Sequence, residues 1–235
     1  MNLLLLEPED LLGPDLARVA GRRFEHAVQV LRAQGGSRLR VGVLGGLQGL
    51  AEVVTHTGTH LDLRLHLEEP PPPKLPLDLL LALPRPKVLN RVLASAASLG
   101  VARIVLLNAW KVEKAYWKSP RMEPSNLGAQ LRLGLEQARD TVLPELRLAR
   151  LFRPFVEEEL PALVAGRRAL LADPAGAGPC PRDLDRPTML AIGPEGGWVP
   201  AELASFRAAG FEAVTLGPRI LRTETALAAL VGRLA

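Results

Sequence analysis

Two glycine-containing segments near the C-terminal end of the sequence carry most of the residue types that could do chemistry. The first reads GPEGG at 193–197, and the second reads LGPRILRTE at 216–224. Glycine lets the backbone approach a ligand closely, and proline fixes φ in advance. Arg222 adds a cation, and Glu195 and Glu224 add two carboxylates. Neither segment has the Gly-Lys-Ser/Thr or G-x-G-x-x-G pattern of phosphate-binding loops, so the pair indicates a ligand site of another kind.

The elements that position these segments follow from the apolar pattern. Each segment comes after a short apolar run, 187–192 and 211–216, that is typical of a buried strand. Residues 200–209 between them predict a helix, because proline stands at its start and Gly210 at its end. Ligands bind at the carboxyl ends of the strands in an open α/β sheet. We therefore predict two strands that end side by side in a binding site.

The two segments together resemble the RsmE-type 16S ribosomal RNA uridine N3-methyltransferases, which are trefoil-knotted SPOUT enzymes, and the resemblance covers nearly the whole chain. It implies an α/β fold with a C-terminal trefoil-knot SPOUT methyltransferase domain and an N-terminal PUA-like β-barrel. It further implies S-adenosyl-L-methionine (AdoMet) as methyl donor and S-adenosyl-L-homocysteine as product. The implied partners are 16S ribosomal RNA or the 30S subunit, and a second copy in a homodimer formed through the C-terminal domain.

The resemblance also implies which residues surround the donor. The cofactor contacts would be Leu171, Ala172, Ile192, Gly193, Gly197, Leu216, Gly217, Ile220 and Leu221. AdoMet carries an activated methyl group, so the protein mainly has to align it with the acceptor nitrogen.

Loss of the uracil N3 proton leaves an imidate, which a cation at the carbonyl oxygens would stabilise. We assign that role to Arg222, although it could instead hold a phosphate or the dimer partner. Glu195 or Glu224 would attract the sulfonium, order Arg222 or accept the proton, and Glu224 could simply favour a helix N-terminus.

A proline-rich segment divides the chain. Residues 70–76 include four consecutive prolines and predict a stiff, extended linker. Residues 1–69 contain short alternating segments, a glycine-rich hairpin turn at 42–49 and one short helix, which together predict a small RNA-binding barrel. Residues 77–235 alternate apolar runs with helix-sized units, so they predict the parallel α/β methyltransferase domain. Among these units we predict a strand over 101–107 and helices over 87–99, 127–142 and 155–167.

Basic residues indicate where RNA could bind. Of the 29 basic residues 22 follow residue 69, against 16 of the 25 acidic residues, which is a weak indication of phosphate binding. In the barrel the resemblance implies contacts from arginines that could otherwise form an exposed helix face. The candidates over the whole chain are Arg22, Arg23, Arg32, Lys87, Lys114 and Arg139. Arg139 is shifted by one position, because Asp140 stands where the family pattern has arginine.

The stretch 108–126 interleaves Trp110, Tyr116 and Trp117 with lysines. Charge for phosphates and rings for stacking suit an unpaired RNA base. The same composition also fits a solvated loop whose rings pack against the core.

Several function classes can be set aside. No apolar run approaches the length of a membrane span, and the N-terminus reads as a first strand because it lacks the basic region of a signal peptide. The single cysteine, Cys180, excludes an internal disulfide or a Cys-based zinc site, so we predict no metal and a cytoplasmic location.

The apolar helix 225–234 predicts burial in the core or against a second subunit. Two alternative functions would use the same fold. One is methylation of another RNA position, such as a ribose 2′-oxygen, and the other is RNA binding without catalysis.

Overall fold

In the computed structural model, which describes residues 2–176 and 178–235, the chain divides into two units. The first comprises Met1–Pro73 with Arg132–Leu143, and the second comprises Lys74–Leu131 with Pro144–Ala235. The segment Arg132–Leu143 groups with the first unit because the backbone carbonyl of Glu136 accepts hydrogen bonds from the N–H groups of Asn2 (2.9 Å) and Leu3 (3.0 Å). The sequence pattern predicts this segment as part of the domain 77–235.

The first unit is built on a mixed five-stranded sheet with the order β1-β3-β4-β5-β2. Its pairs are antiparallel except for β1 with β3. The strands are β1 (Leu4–Leu6), β2 (Leu16–Ala20), β3 (Arg38–Val43), β4 (Gln48–His56) and β5 (His60–Glu69). A 3-10 turn (Pro8–Asp10) follows β1, and helix α1 (Gly21–Gln29) follows β2. Alternate residues of β5, Leu61, Leu63 and Leu65, enter the core, as the polar–apolar alternation predicts.

The turn between β3 and β4 is shorter than the sequence suggests. Gly42 and Gly49, at the ends of the predicted turn, are strand residues, and the connection is confined to 44–47, with Gly45 at φ +74°. A Cβ on Gly49 would lie 2.1 Å from the backbone oxygen of His66. Glycine is therefore required there by the close approach of β5 at an irregular point of the pairing.

The second unit contains a seven-stranded sheet in which the described pairs are all parallel, with the order β10-β12-β9-β11-β6-β7-β8. Its central strands are mainly apolar and buried, as expected for a sheet covered on both faces, although β6 includes the buried Asp78, which accepts a hydrogen bond from Arg103. The strands are β6 (Leu75–Ala82), β7 (Val101–Leu107), β8 (Glu145–Ala149), β9 (Arg168–Ala172), β10 (Gly178–Pro179), β11 (Thr188–Ile192) and β12 (Glu212–Thr215).

The remaining helices are α2 (Pro86–Ser98), α3 (Pro124–Ala138), α4 (Phe152–Pro154), α5 (Leu160–Val164), α6 (Pro200–Ala208) and α7 (Thr223–Leu234), with 3-10 turns at Tyr116–Lys118 and Pro120–Met122. Helices α2, α6 and α7 lie within two residues of their predicted starts, whereas α3 and the region 155–167 differ from the prediction. A single helix was predicted over 155–167, but a π-helical turn (Phe155–Glu159) separates α4 from α5. Pro161 has no N–H to continue the α-helical pattern, and the N–H of Leu160 bonds to the carbonyl of Phe155 instead.

Helix α7 is buried along one face only. Leu227, Leu230, Val231 and Leu234 are buried, and the helix packs on α2 and β11. The exposed face carries Ala228, Ala229 and Gly232. Among the residues described, no helix is both long and apolar enough to cross a bilayer.

Candidate functional site

The site begins where three strands of the second unit end at the same level. Ala172, the last residue of β9, lies opposite Ile192 of β11 on one side and Val214 of β12 on the other. The prediction that β11 and β12 are direct neighbours is wrong, because β9 lies between them. Their loops nevertheless leave the same edge of the sheet, together with the loop after β9.

A cavity of about 720 Å³ lies at these strand ends, within the range of roughly 300–1,000 Å³ that small-molecule sites occupy. Most of the predicted cofactor residues line it, as do all three charged candidates. These lining residues are Ala172, Ile192, Gly193, Gly197, Leu216, Gly217, Ile220, Leu221, Glu195, Arg222 and Glu224. Leu171 does not line the cavity, because its side chain is fully buried within β9.

The glycines of the two loops serve different purposes. Gly197 and Gly217 have φ values of +72° and +112°, a region that side chains disfavour, so each permits a turn. A Cβ on Gly193 would lie 3.0 Å from Nε1 of Trp198, and one on Gly196 would lie 2.8 Å from Cδ of Lys111. At these two positions the missing side chain makes room for protein neighbours, whereas we had expected it to make room for a ligand.

Charged groups of both signs surround the cavity. Four arginines and three carboxylates line it: Arg85, Arg91, Arg219, Arg222, Asp173, Glu195 and Glu224. Glu195 Oε1 accepts the backbone N–H of Arg85 (3.0 Å), which ties the first loop to the start of α2. Arg91 Nη2 donates to Glu224 Oε1 (3.0 Å), which ties α2 to the start of α7. A ligand that itself carries both charges would find partners for each.

The environment of Glu224 limits what it can do. A hydrogen bond with the backbone of its own residue is the largest cause that lowers the pKa of this carboxyl, and Arg91 and Arg222 lower it further. A carboxylate held in its charged form is a weak proton acceptor. Glu224 is therefore suited to ordering Arg91 and attracting a cation.

Arg222 occupies the N-cap position of α7. Its backbone carbonyl accepts the N–H of Ala226 (2.8 Å), but its side chain does not cap the helix. Within the described chain the exposed guanidinium makes no hydrogen bond and no ion pair, and it lines the cavity. The helix thus fixes the backbone at Arg222 and leaves the cation available to a substrate.

The basic residue that reaches the cavity from the start of α2 is Arg85, and not the predicted Lys87. Lys87 is exposed and does not line the cavity, whereas Arg85, immediately before the helix, does. The signal was present, because Arg85 lies between Pro84 and Pro86. Proline at the first helical position marks the preceding residue as the one at the helix N-terminus, close to the carboxyl end of β6.

The basic candidates of the first unit fall into two groups. Arg22 donates to the buried carboxylate of Glu136 (2.9 Å), and Arg23 binds Asp10 and the backbone oxygen of Leu5. By contrast, Arg32 and Arg139 have φ values of +54° and +56°. Their side chains show no hydrogen bond or ion pair with the described residues.

The helix that leads to Arg139 and Asp140 ends earlier than the predicted helix over 127–142. The helix ends at Ala138, and Arg139 takes the left-handed conformation just beyond it. Asp140, where the family pattern has arginine, is buried and accepts the N–H of Val142 (2.9 Å). Lys114 lies exposed on the loop after β7.

Replacing Arg139 by glycine should raise the free energy of unfolding by about 0.5–1 kcal/mol, because glycine adopts positive φ without steric cost. Urea denaturation measures the change. Arg139→Ala is the matched control, since alanine keeps the unfavourable conformation and should bring no gain. Equal stability of the glycine and alanine variants would contradict the prediction.

Known proteins similar to this chain decide the family. Residues 71–235 match the RNA methyltransferase domain family. The ribosomal RNA small subunit methyltransferase E of Treponema pallidum (strain Nichols) is 31% identical over 97% of this chain and 88% of its own length. The protein of the same name from Mycobacterium bovis (strain ATCC BAA-935 / AF2122/97) is 30% identical over 93% of this chain and 87% of its own. The chain belongs to the RsmE-type ribosomal RNA methyltransferases.

The RsmE-type fold extends over both units. The crystal structure of ribosomal RNA small subunit methyltransferase E from Neisseria gonorrhoeae bound to S-adenosyl methionine has a TM-score of 0.76 at 22% identity, covering 99% of this chain and 95% of that protein. The predicted α/β fold class is confirmed: the second unit is built on a parallel seven-stranded sheet, the first on a mixed five-stranded sheet, and the chain shares the fold of this methyltransferase structure. The trefoil knot and the closed PUA-like barrel stay predictions.

Proposed function

We propose that this RsmE-type protein transfers a methyl group from AdoMet to N3 of a uridine in 16S ribosomal RNA. The proposal is supported by the cavity at the carboxyl ends of β9, β11 and β12. Residues of both motif segments line this cavity. The Neisseria gonorrhoeae relative with this fold is bound to S-adenosyl methionine. Family membership adds ribosomal RNA as the class of acceptor.

The residues of the cavity fit AdoMet. The molecule carries a sulfonium, an ammonium and a carboxylate, and the lining offers three carboxylates and four guanidinium groups. Leu216, Ile220 and Leu221 supply apolar surface for the adenine, and Ile220 is 84% exposed in the protein alone. The positive φ of Gly217 turns the loop there. Leu171 would support this pocket from within β9.

When bound, AdoMet supplies an activated methyl group; the protein must position the acceptor and stabilise its charge. Arg222 would place its guanidinium at a carbonyl oxygen of the uracil and stabilise the imidate that forms as N3 loses its proton. Glu195 Oε1 is used by Arg85, but Oε2 accepts no hydrogen bond from the residues described. We therefore assign proton acceptance to Glu195, since Glu224 is held as a weak base.

The first unit, with the predicted barrel of residues 1–69, would bind RNA through Arg32 and Arg139. Both arginines keep a backbone conformation that glycine would adopt at lower cost. Backbone conformations of this kind cluster at functional sites, which supports a role for both side chains. Arg22 and Arg23 would act mainly through the ion pairs that fix α1, and Lys87 and Lys114 would add exposed charge in the second unit.

We also propose a homodimer formed through the second unit, in the cytoplasm. The exposed face of α7 carries alanine and glycine, which allow another helix to approach closely, and self-complementary twofold contacts are the commonest in soluble oligomers. Sedimentation equilibrium of the purified protein tests this. A monomer at micromolar concentration would contradict it.

Mass mapping of 16S ribosomal RNA from cells that lack this protein tests the proposed reaction. One N3-methyluridine should disappear and should return when the purified protein and AdoMet are added to the 30S subunits. Loss of a ribose methyl group would instead identify 2′-oxygen methylation. Unchanged methylation, with no AdoMet binding by calorimetry, would mean that the protein only binds RNA.

A further inference from the structure

One aromatic side chain of the second unit stands out from the others. Trp110 is 83% exposed, whereas the other two tryptophans are held by neighbours. Trp117 donates its Nε1–H to Asn108 (2.9 Å) and has the guanidinium of Arg150 5.1 Å from its ring centroid. Trp198 is buried against Phe206. A solvent-exposed indole forgoes the large hydrophobic gain that burial of such a ring brings.

The backbone that carries Trp110 is firmly held. Its N–H donates to Oε1 of Glu202 (2.7 Å), a side chain that is 4% exposed. The other oxygen of Glu202 accepts the N–H of Val199 (2.9 Å), so one buried carboxylate joins this loop to the start of α6. The neighbours Ala109 and Val112 are buried. The ring is therefore exposed on an anchored loop.

The loop is also attached to the proposed donor site. Lys111 Nζ donates to the backbone oxygen of Gly196 (2.6 Å), which lines the cavity. The lysine stem passes where a Cβ on Gly196 would lie. Trp110 is thus one residue away from a direct link to the glycine-rich loop.

The charge on the segment that carries Trp110 indicates the kind of partner. Lys114, Lys118 and Arg121 follow Trp110 between β7 and α3 and are exposed. Exposed cations that can neutralise phosphates and an exposed ring are the two components of single-stranded nucleic acid sites.

We propose that Trp110 stacks on an unpaired base of the RNA substrate beside the entrance of the cavity. This inference rests on the proposed function, because it places the RNA next to the methyl donor. Trp110 is then a substrate-positioning residue, and its face sets how the RNA strand lies relative to Arg222.

The test compares Trp110→Ala, Trp110→Leu and Trp110→Phe. Loss of one base–aromatic stack should weaken binding of 16S ribosomal RNA by about 5- to 100-fold in the alanine and leucine variants. Phenylalanine keeps a ring face and should retain most of the affinity, whereas leucine keeps only the apolar character. Calorimetry with S-adenosyl-L-homocysteine and thermal unfolding should give wild-type values for all three, because the ring contacts neither the cavity nor the core.

Acrylamide quenching of tryptophan fluorescence gives a readout independent of methyl transfer. Wild type should have a component of fluorescence that acrylamide quenches and that Trp110→Phe lacks. Addition of 16S ribosomal RNA should shield this component from acrylamide, whereas addition of S-adenosyl-L-homocysteine alone should not. Shielding without methyl transfer by wild type would overturn the proposed reaction and leave the RNA contact standing. Methyl transfer by wild type with unchanged RNA affinity in all variants would overturn the role of Trp110 alone. A change of oligomeric state in Trp110→Ala would also overturn it, since the ring would then contact protein.

Discussion

Replacing Arg222 by alanine should lower kcat for methyl transfer by about 100- to 1,000-fold, while AdoMet still binds with nearly wild-type affinity. Removal of one preorganised donor that stabilises a developing oxyanion typically has an effect of this size. The guanidinium has no partner among the described residues, and only the backbone of Arg222 is used by α7. The substitution should therefore leave the fold and the free energy of unfolding unchanged. Single-turnover kinetics with 30S subunits and calorimetry with AdoMet measure the two effects separately.

Arg219→Ala is the matched control, because Arg219 is an exposed cation on the same loop that also lines the cavity. Arg219→Ala should weaken binding of the RNA substrate and leave kcat within a few-fold of wild type. If Arg222→Ala lost AdoMet affinity and turnover together, Arg222 would belong to the cofactor site. If both variants lost RNA affinity equally and kept kcat at saturation, the two arginines would act only as phosphate contacts.

Local signals in the sequence predicted the elements around the site well. Strand β7 has the predicted limits, 101–107, because a continuous apolar run lies between Gly100 and Asn108. Helix α6 starts at Pro200, as the proline signal predicts, and α2 starts at Pro86, one residue before the predicted start at 87. Both signals depend on a few neighbouring residues, so they can be read from the chain alone.

Features that depend on distant residues could not be read in this way. The insertion of β9 between β11 and β12 depends on pairing of segments far apart in the chain, and no local pattern encodes it. Strand β8, with a short and half-polar sequence, became a strand because β7 offers it an edge. The reason for glycine at 193 is likewise a contact with the side chain of Trp198. The sequence thus indicates which residues form the motif segments, but not which distant residues contact them in the fold.

Arg22 shows how a distant partner changes the expected role of a motif residue. The sequence indicated a surface arginine that contacts RNA, but the structure pairs it with Glu136, whose carboxylate is 2% exposed. Arg22→Ala should lower the free energy of unfolding by about 2–3 kcal/mol, because it leaves a buried carboxylate without its cation. Urea denaturation followed by circular dichroism measures the loss.

Arg18 provides the matched control within the same unit. It forms an ion pair with Asp62 at 2.7 Å, but on the protein surface, where such pairs contribute about 0–1 kcal/mol. Arg18→Ala should therefore have little effect on stability. Equal losses for Arg18→Ala and Arg22→Ala would show that burial of Glu136 is not the cause.

The double variant Arg22→Ala/Glu136→Gln separates stability from RNA recognition. Without the buried charge, most of the lost stability should return, since a neutral amide needs no cation. If Arg22 serves RNA binding only by fixing α1 against Glu136, affinity for 16S ribosomal RNA should return together with stability. A double variant that is stable but still binds RNA weakly would show that the guanidinium contacts RNA directly. Since the arginine side chain is about half exposed, one face of it remains open to a phosphate, and only this comparison distinguishes a structural arginine from one that also recognises the substrate.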